Sequence, residues 1–441
     1  MQFNSLEFIY GFLPLFLLVY YLIREQFRCH VLVIGSLAFY GLATGWSLMG
    51  LPVLIAATIL AFFASKTLAM WKKPWLLGLW LLLFGGMLIF FKIFCGGKYL
   101  SAGMSFYLFQ IAAILIDVYR GRMRLEYDPV RFASYVVMFP KLLSGPIAAP
   151  AQLRSQERKW NITWERFAEG LRCFILGLSM KVLLAGRLGG IWAQAKIAGY
   201  DTISTPYAWL ALVEWAMELY FDFYGYSLMA VGLGKLLGYE LPRNFRHPYA
   251  AGSVSGFYRR WHMTLGAWFR EYLYIPLGGN RQGSGRTILN LAVVWLFTGL
   301  WHGVGGNYLL WAGFLCLMVI LERLGLSRVL DKIGPLRHVY LVFVILLSWV
   351  PFAIGDFGDM ITFLGKLFGG GNTLNPRDVM GLSNYIGLLS AGVILATPLP
   401  ERIWKRIKNS FLGYLMLFVL FWASVYLIST SAQDPFLYFK F

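Results

Sequence analysis

Long apolar runs recur along the chain, separated by short stretches that are basic or carry glycine and proline. They lie near residues 6–23, 30–46, 48–66, 75–96 and 99–117, then 172–195, 207–224, 287–302, 308–321, 339–355, 385–397 and 411–430. A helix crosses the hydrocarbon layer with about 20 apolar residues, fewer where the bilayer thins. The pattern therefore predicts an all-α polytopic membrane protein with roughly a dozen transmembrane helices. Internal glycines and prolines are compatible with this where neighbouring protein satisfies the freed backbone groups.

Two stretches break the pattern. Residues 132–150 are apolar but flanked by basic loops, and Pro140, Gly145, Pro146 and Pro150 interrupt any helix. A re-entrant hairpin is expected there. Residues 225–286 are amphipathic rather than continuously apolar. With no repeat, linker or soluble-length polar insertion, the simplest organisation is one membrane domain over 1–441.

Composition sharpens the class. Only 14% of residues are charged, against about 25% in soluble domains, and mean hydropathy is +0.62. The 39 Lys+Arg outnumber the 21 Asp+Glu, for a net charge of +18. In a soluble protein that excess would suggest nucleic acid. Here it falls between apolar runs, at Arg24, Arg28, Lys66, Lys72, Lys73, Arg120, Arg122, Arg124, Arg131, Arg402, Lys405, Arg406 and Lys408. That is the positive-inside pattern, and its alternation places both termini outside the cytoplasm. No nucleic-acid partner is expected; the lipid bilayer is. The start has no signal-peptide cleavage pattern, so the first run is expected to remain as a helix. Cys29, Cys95, Cys173 and Cys316 show no metal or redox spacing. Asn161-Ile162-Thr163 matches a glycosylation sequon but sits in a basic, cytoplasm-facing loop.

Three features carry candidate chemistry. His302 ends an apolar run of membrane length, where a buried histidine is costly and marks function by default. Its ordinary pKa suits a general base near neutrality; a histidine satisfied by a backbone carbonyl is the alternative. Thr298 lies one turn earlier on the same side, and Asn290 begins the segment. Forty residues upstream, Phe257, Trp261, Leu265, Trp268, Phe269 and Tyr272 recur at helical spacing, with Arg259, His262, Gly266 and Arg270 on another face. This reads either as an interfacial amphipathic helix or as a cytoplasmic vestibule for an anionic thioester, since arginine suits phosphate. The glycine-rich loop 278–286, with Arg281, is a weak second phosphate contact because it lacks P-loop spacing. Third, Glu214, Glu218 and Asp222 repeat every four residues in an apolar segment, so this face must look into the bundle or a wet cavity. It pairs with the arginines above, or it orients an imidazole or an acceptor.

At this point the chain resembles the membrane-bound O-acyltransferase family. It is most similar to the subgroup that serves alginate O-acetylation, and related to the teichoic-acid D-alanylation branch. The resemblance rests on L6-E-F-I-Y-G-F-L-P-L-F-L-L-V-Y-Y21, G103-M-S-F-Y-L-F-Q-I-A-A-I-L-I-D-V-Y-R-G121, F139-P-K-L-L-S-G-P-I147, Y220-F-D-F-Y-G-Y-S-L-M-A-V-G-L-G234, F257-Y-R-R-W-H-M-T-L265, W268-F-R-E-Y-L-Y-I-P-L-G-G-N-R281 and T298-G-L-W-H-G303. Their order is more specific than any one of them. Leu228 and Glu218 depart from the alginate-type pattern, which has Asp and Gln there, and Leu228 is closer to the D-alanylation pattern. The region Cys95 to Gly103 is shorter than is usual in the family.

The resemblance implies a ring of helices around a thinned centre, reached by a funnel from outside and a tunnel from the cytoplasm. His302 matches the catalytic histidine, within a catalytic helix over 287–303. His262 matches a second signature position that is asparagine in many eukaryotic relatives, so a donor-side or positioning role is implied. The expected reaction moves an acyl group, acetyl first, from a cytoplasmic thioester such as acetyl-CoA to a hydroxyl outside, on a polysaccharide or on an extracytoplasmic acetyltransferase partner. Thr298, Asp222 and Glu218 would support His302; Arg259, Arg260, Trp261, Arg270 and Arg281 would bind the donor on the cytoplasmic side of 253–286. No metal and no tightly bound cofactor are expected, and the location implied is the bacterial cytoplasmic membrane. D-alanyl transfer from an acyl carrier protein is the alternative within the class. A polysaccharide or lipid transporter, or a scaffold, is the alternative outside it.

Overall fold

In a computed structural model the structure describes residues 1–94, 102–148, 153, 163–370 and 376–430. Asn161 of the sequon, Cys95 and most of the short region 95–103 lie outside the described residues. The described secondary structure is helical, as expected. Among the described residues, eight helices are long and apolar enough to cross a membrane: Glu25–Ala43, Gly50–Trp71, Pro74–Ile93, Trp164–Ala198, Gly306–Lys332, Gly334–Ala353, Asp378–Leu395 and Phe411–Thr430. Glu7–Leu22 and Met104–Tyr119 are apolar but shorter.

The fold divides into two compact units, one including Met1–Leu178 and Tyr226–Arg243, the other Ser179–Gly225 and Asn244–Ala423. In the first, α1 (Leu13–Leu22), α2 (Arg28–Ala43), α3 (Gly50–Trp71), α4 (Pro74–Ile89) and α5 (Met104–Tyr119) precede the irregular stretch. That stretch forms two short helices, α6 (Pro129–Val137) and α7 (Phe139–Leu142), broken at Met138. Neither is long enough to span. Asp128 caps α6 by accepting from Val130 and Arg131 N–H. Phe8, Phe12 and Phe16 form an aromatic stack that meets Phe139 edge-on, and Ser36 Oγ accepts from Phe139 N–H at 3.0 Å. Buried Lys141 donates to Gln110 Oε1 and to the carbonyl of Tyr135. An ammonium in this apolar core needs such acceptors. Gly103 (φ 73°) lets the start of α5 approach α7, since a Cβ there would stand 2.8 Å from Leu143 Cα. Helix α8 (Trp164–Ser179) meets the 226–236 turns glycine on glycine: a Cβ on Gly232 would lie 2.6 Å from Gly170 O. Small residues of this kind let membrane helices touch backbone to backbone.

The second unit holds α9 (Gly190–Ala198), most of α10 (Thr205–Leu236), α11 (Val254–Tyr258), α12 (Met263–Phe269), α13 (Gly283–His302), α14 (Gly306–Leu321), α15 (Ser327–Lys332), α16 (Arg337–Ala353), α17 (Phe357–Leu367), α18 (Pro376–Leu395), α19 (Leu399–Ile407) and most of α20 (Phe411–Thr430). Helices α13 and α14 are joined by a three-residue connection and pack against each other. Asn307, at the start of α14, donates to the carbonyl of Pro351 at 3.0 Å, tying α14 to α16. Asn290 does the same for the glycine loop, donating to Leu277 O (3.2 Å) and Gly279 O (2.9 Å).

The single amphipathic helix expected over 257–272 is not formed. The chain breaks at His262, which takes a left-handed conformation (φ 44°, ψ 52°) between α11 and α12. The break moves His262 off the arginine face: Arg259, Gly266 and Arg270 are exposed, whereas His262 is 4% exposed. The stabilising contacts are tertiary: Asn244 O accepts from Met263 N–H at 2.9 Å and Asn244 Oδ1 from Thr264 N–H at 3.3 Å. Helical periodicity carries no trace of these.

Candidate active site

The site is built where α11, α12, α13, α14 and α16 converge. A cavity of ≈ 260 Å³ is lined there by His262, Trp261, Leu265, Gly266, Phe269 and Arg270, by Trp295, Thr298 and His302 of α13, and by Trp311, Trp349 and Phe352. Leu219, Tyr258, Tyr274, Leu291 and Val294 complete it. An apolar cleft with a few convergent polar groups is the usual form of a small-molecule site.

His302 is the last residue of α13 and is 8% exposed. Its ring stands edge-on to Trp301 (4.7 Å between centroids), Trp311 (4.9 Å) and Phe352 (5.1 Å). Trp301 also meets His262 edge-on at 5.9 Å, so one indole contacts both imidazoles. Phe223 of α10 packs on His262 at 4.8 Å. Burial pushes the His262 imidazole down to about 3, so it is neutral at physiological pH. Thr298 lies one turn before His302 and its hydroxyl donates to Val294 O at 2.8 Å. Trp261 stacks on Phe257 and tilts against Trp349, which fixes the wall next to His262.

The cavity thus brings together five of the ten residues given a site role from the sequence: His302, His262, Thr298, Trp261 and Arg270. The others lie elsewhere. Arg259 and Arg281 are exposed, Arg260 is half-buried, and none of the three lines the cavity. Asp222 and Glu218 do not line it either. The expected pairing of the α10 carboxylates with arginines is corrected for two of them. Buried Asp222 is ion-paired with Lys181, and Glu214, fully buried, accepts from Trp192 N–H at 3.0 Å at the start of α9. Lys181 stands inside an apolar run, and that placement was the available signal for it.

Two further residues shape the site. Asn244 Oδ1 lies 3.3 Å from His262 Nδ1. Glu322, buried just beyond α14, accepts from Val254 N–H (2.5 Å), Ser255 N–H (3.0 Å), Ser255 Oγ (2.6 Å) and Tyr340 Oη (3.3 Å). With Ser253 Oγ accepting from Gly256 N–H at 3.0 Å, the first three N–H groups of α11 all have acceptors. Neither Asn244 nor Glu322 belongs to a periodic pattern. The one available sign for Glu322 was a carboxylate closing an apolar run.

Among the described residues no group of three or more His, Cys, Asp or Glu is arranged to hold a metal ion. What the cavity offers is two imidazoles, the hydroxyl of Thr298, two tyrosines and a guanidinium within an aromatic shell. That set suits proton transfer to and from a small polar group held against apolar walls.

These features define a polytopic helical membrane protein with a buried, histidine-containing cavity. The profile of the membrane-bound O-acyltransferase family matches residues 118–346. The chain is 31% identical to a probable alginate O-acetylase of Pseudomonas putida, with all of both chains covered. It is 31% identical to a peptidoglycan O-acetyltransferase of Helicobacter pylori, over 70% of this chain and 68% of that one. It is 26% identical to a teichoic acid D-alanyltransferase of Bacillus subtilis, over 47% of this chain and 55% of that one. The chain belongs to the membrane-bound O-acyltransferase family and is an O-acyltransferase, which decides against the transporter and scaffold alternatives.

Proposed function

We propose that the protein O-acetylates a polysaccharide outside the cytoplasmic membrane, using a cytoplasmic thioester such as acetyl-CoA as donor. The observation that carries this reading is that His302 and His262 line the same cavity as Thr298, Trp261 and Arg270. The relatives named for alginate and peptidoglycan acetylation support acetyl as the acyl group. His302 takes the proton from the attacking hydroxyl, whose oxygen forms the new bond to the thioester carbonyl carbon. The C–S bond breaks, and the proton returns from His302 to the leaving thiolate. No net proton is gained or lost by the protein. Arg270 reaches from the cavity to the exposed surface, and the neighbouring Arg259, Arg260 and Arg281 supply positive charge for an anionic donor.

The acceptor hydroxyl belongs either to the polysaccharide itself or to an extracytoplasmic acetyltransferase that passes the group on. Both termini of the chain lie outside. D-alanyl transfer from a carrier protein is the second reading, favoured by the similarity to the Bacillus subtilis enzyme. Purified protein in sealed vesicles, given radiolabelled acetyl-CoA and an oligosaccharide acceptor, separates them. Label reaching the acceptor without any carrier protein is expected. Transfer that requires a loaded carrier protein and ignores acetyl-CoA rejects the acetyl reading.

A further inference from the structure

His262 occupies a costly backbone conformation, and Asn244 is the residue that holds it there. The Asn244 carbonyl accepts from Met263 N–H at 2.9 Å, and its side-chain Oδ1 accepts from Thr264 Oγ1 at 2.6 Å and Thr264 N–H at 3.3 Å. His262 Nδ1 lies 3.3 Å from the same Oδ1. Asn244 is 1% exposed, so this geometry is enclosed by protein. A left-handed histidine persists when its surroundings over-determine it: Asn244 holds the ring and the two residues that follow, and Arg246 N–H donates to Arg260 O at 3.0 Å on the preceding side.

The contacts also fix which atoms carry hydrogen. A backbone N–H can only donate, so the amide atom facing Thr264 must be the oxygen; the flipped amide would set an NH₂ against an N–H. An oxygen at that position in turn requires a proton on His262 Nδ1. A neutral imidazole carries one N–H, so its lone pair falls on Nε2.

We propose that Asn244 is a positioning residue that holds His262 as its Nδ1–H tautomer, leaving Nε2 as a hydrogen-bond acceptor toward the reacting groups in the cavity. This rests on the acyl-transfer reading above. In that role Nε2 accepts from the attacking hydroxyl, orienting it while His302 removes the proton. Without Asn244 the ring can present N–H where a lone pair is needed, the fault expected of a lost orienting partner. The titratable groups sharing the cavity with His262 are Tyr258, Arg270, Tyr274 and His302. From α10 it meets the Phe223 ring, beside Asp222, which is paired with Lys181.

The test uses the full chain in lipid discs with ¹⁵N-labelled histidine, the His262 signals being identified by their loss in H262Q. The wild type is expected to show Nδ1–H, and Asn244→Ala a mixture of tautomers. In transfer assays Asn244→Ala is expected to lower kcat by about 10–100-fold, with KM moved less than about threefold. Asn244→Asp keeps an acceptor oxygen, so it retains most of the activity near neutrality. Its added carboxylate raises the acid limb of the pH profile by about one to three units. Nε2–H in the wild type overturns the proposal. So does Asn244→Ala with wild-type tautomer and kcat, or a folded Asn244→Asp as inactive as Asn244→Ala. The spectrum needs neither donor nor acceptor. A wild type with the expected tautomer but no transfer would therefore sink the acyl-transfer reading and leave the tautomer assignment standing.

Discussion

Replacing Glu322 by alanine tests how the His262 segment is anchored. The carboxylate is 3% exposed and receives two backbone N–H groups, from Val254 and Ser255, together with the hydroxyls of Ser255 and Tyr340. The hydroxyls can turn to other acceptors, but the two N–H groups cannot. Leaving a buried donor unsatisfied costs about 1–3 kcal/mol, so Glu322→Ala should destabilise the start of α11 by about 2–6 kcal/mol. Glu322→Gln keeps one acceptor oxygen and should cost about half as much. Hydrogen exchange of peptides covering 253–262 reads this directly. At about 1.4 kcal/mol per tenfold, protection should fall by roughly thirtyfold to twenty-thousandfold in the alanine variant and by less in the glutamine variant. Transfer activity should fall with it, because α11 leads into Trp261 and His262. Wild-type protection at 254–255 in Glu322→Ala would refute the reasoning.

Three further outcomes follow from other contacts. Removing one partner of the buried Lys181–Asp222 pair should cost about 3–5 kcal/mol, whereas Lys181→Met with Asp222→Leu should recover most of it; thermal unfolding of the three variants in detergent checks the order. Glu401 is held down to about 2, first by the hydrogen bond from Lys405 and then by His247, whose Nε2 lies 2.5 Å from its Oε2. Its folded pKa lies below the ordinary 4.5, so the stability it lends is present above that value and is lost as pH falls toward 2. Glu401→Gln should remove that part of the acid sensitivity, read as unfolding midpoint against pH. A cytoplasm-dependent reporter fused after Phe441 should be inactive and a periplasm-dependent one active; the reverse would reject the proposed placement of the termini.

Much of the architecture was legible because lipid imposes a one-dimensional rule on sequence. The runs at 308–321, 339–355 and 411–430 appear as α14 (Gly306–Leu321), α16 (Arg337–Ala353) and α20 (Phe411–Thr430) within a residue or two. His302 was legible for the same reason, as a polar group where polarity is expensive. The break at His262 was not. No glycine or proline marks it, and what holds it is Asn244, 18 residues away in sequence. Periodicity reports which face a residue takes only while the helix is continuous, so it placed His262 among the exposed arginines. Glu214 and Asp222 were rightly read as facing protein, but their partners, the α9 backbone and Lys181, depend on tertiary neighbours that spacing does not encode.

The most direct test of the central claim is turnover by His302→Gln, in a preparation shown to be folded, with radiolabelled acetyl-CoA and acceptor. If His302 moves the proton in the transfer, the rate should fall by about 10²–10⁴-fold, the usual contribution of a general base, with donor binding retained. Wild-type transfer by the folded variant would contradict it.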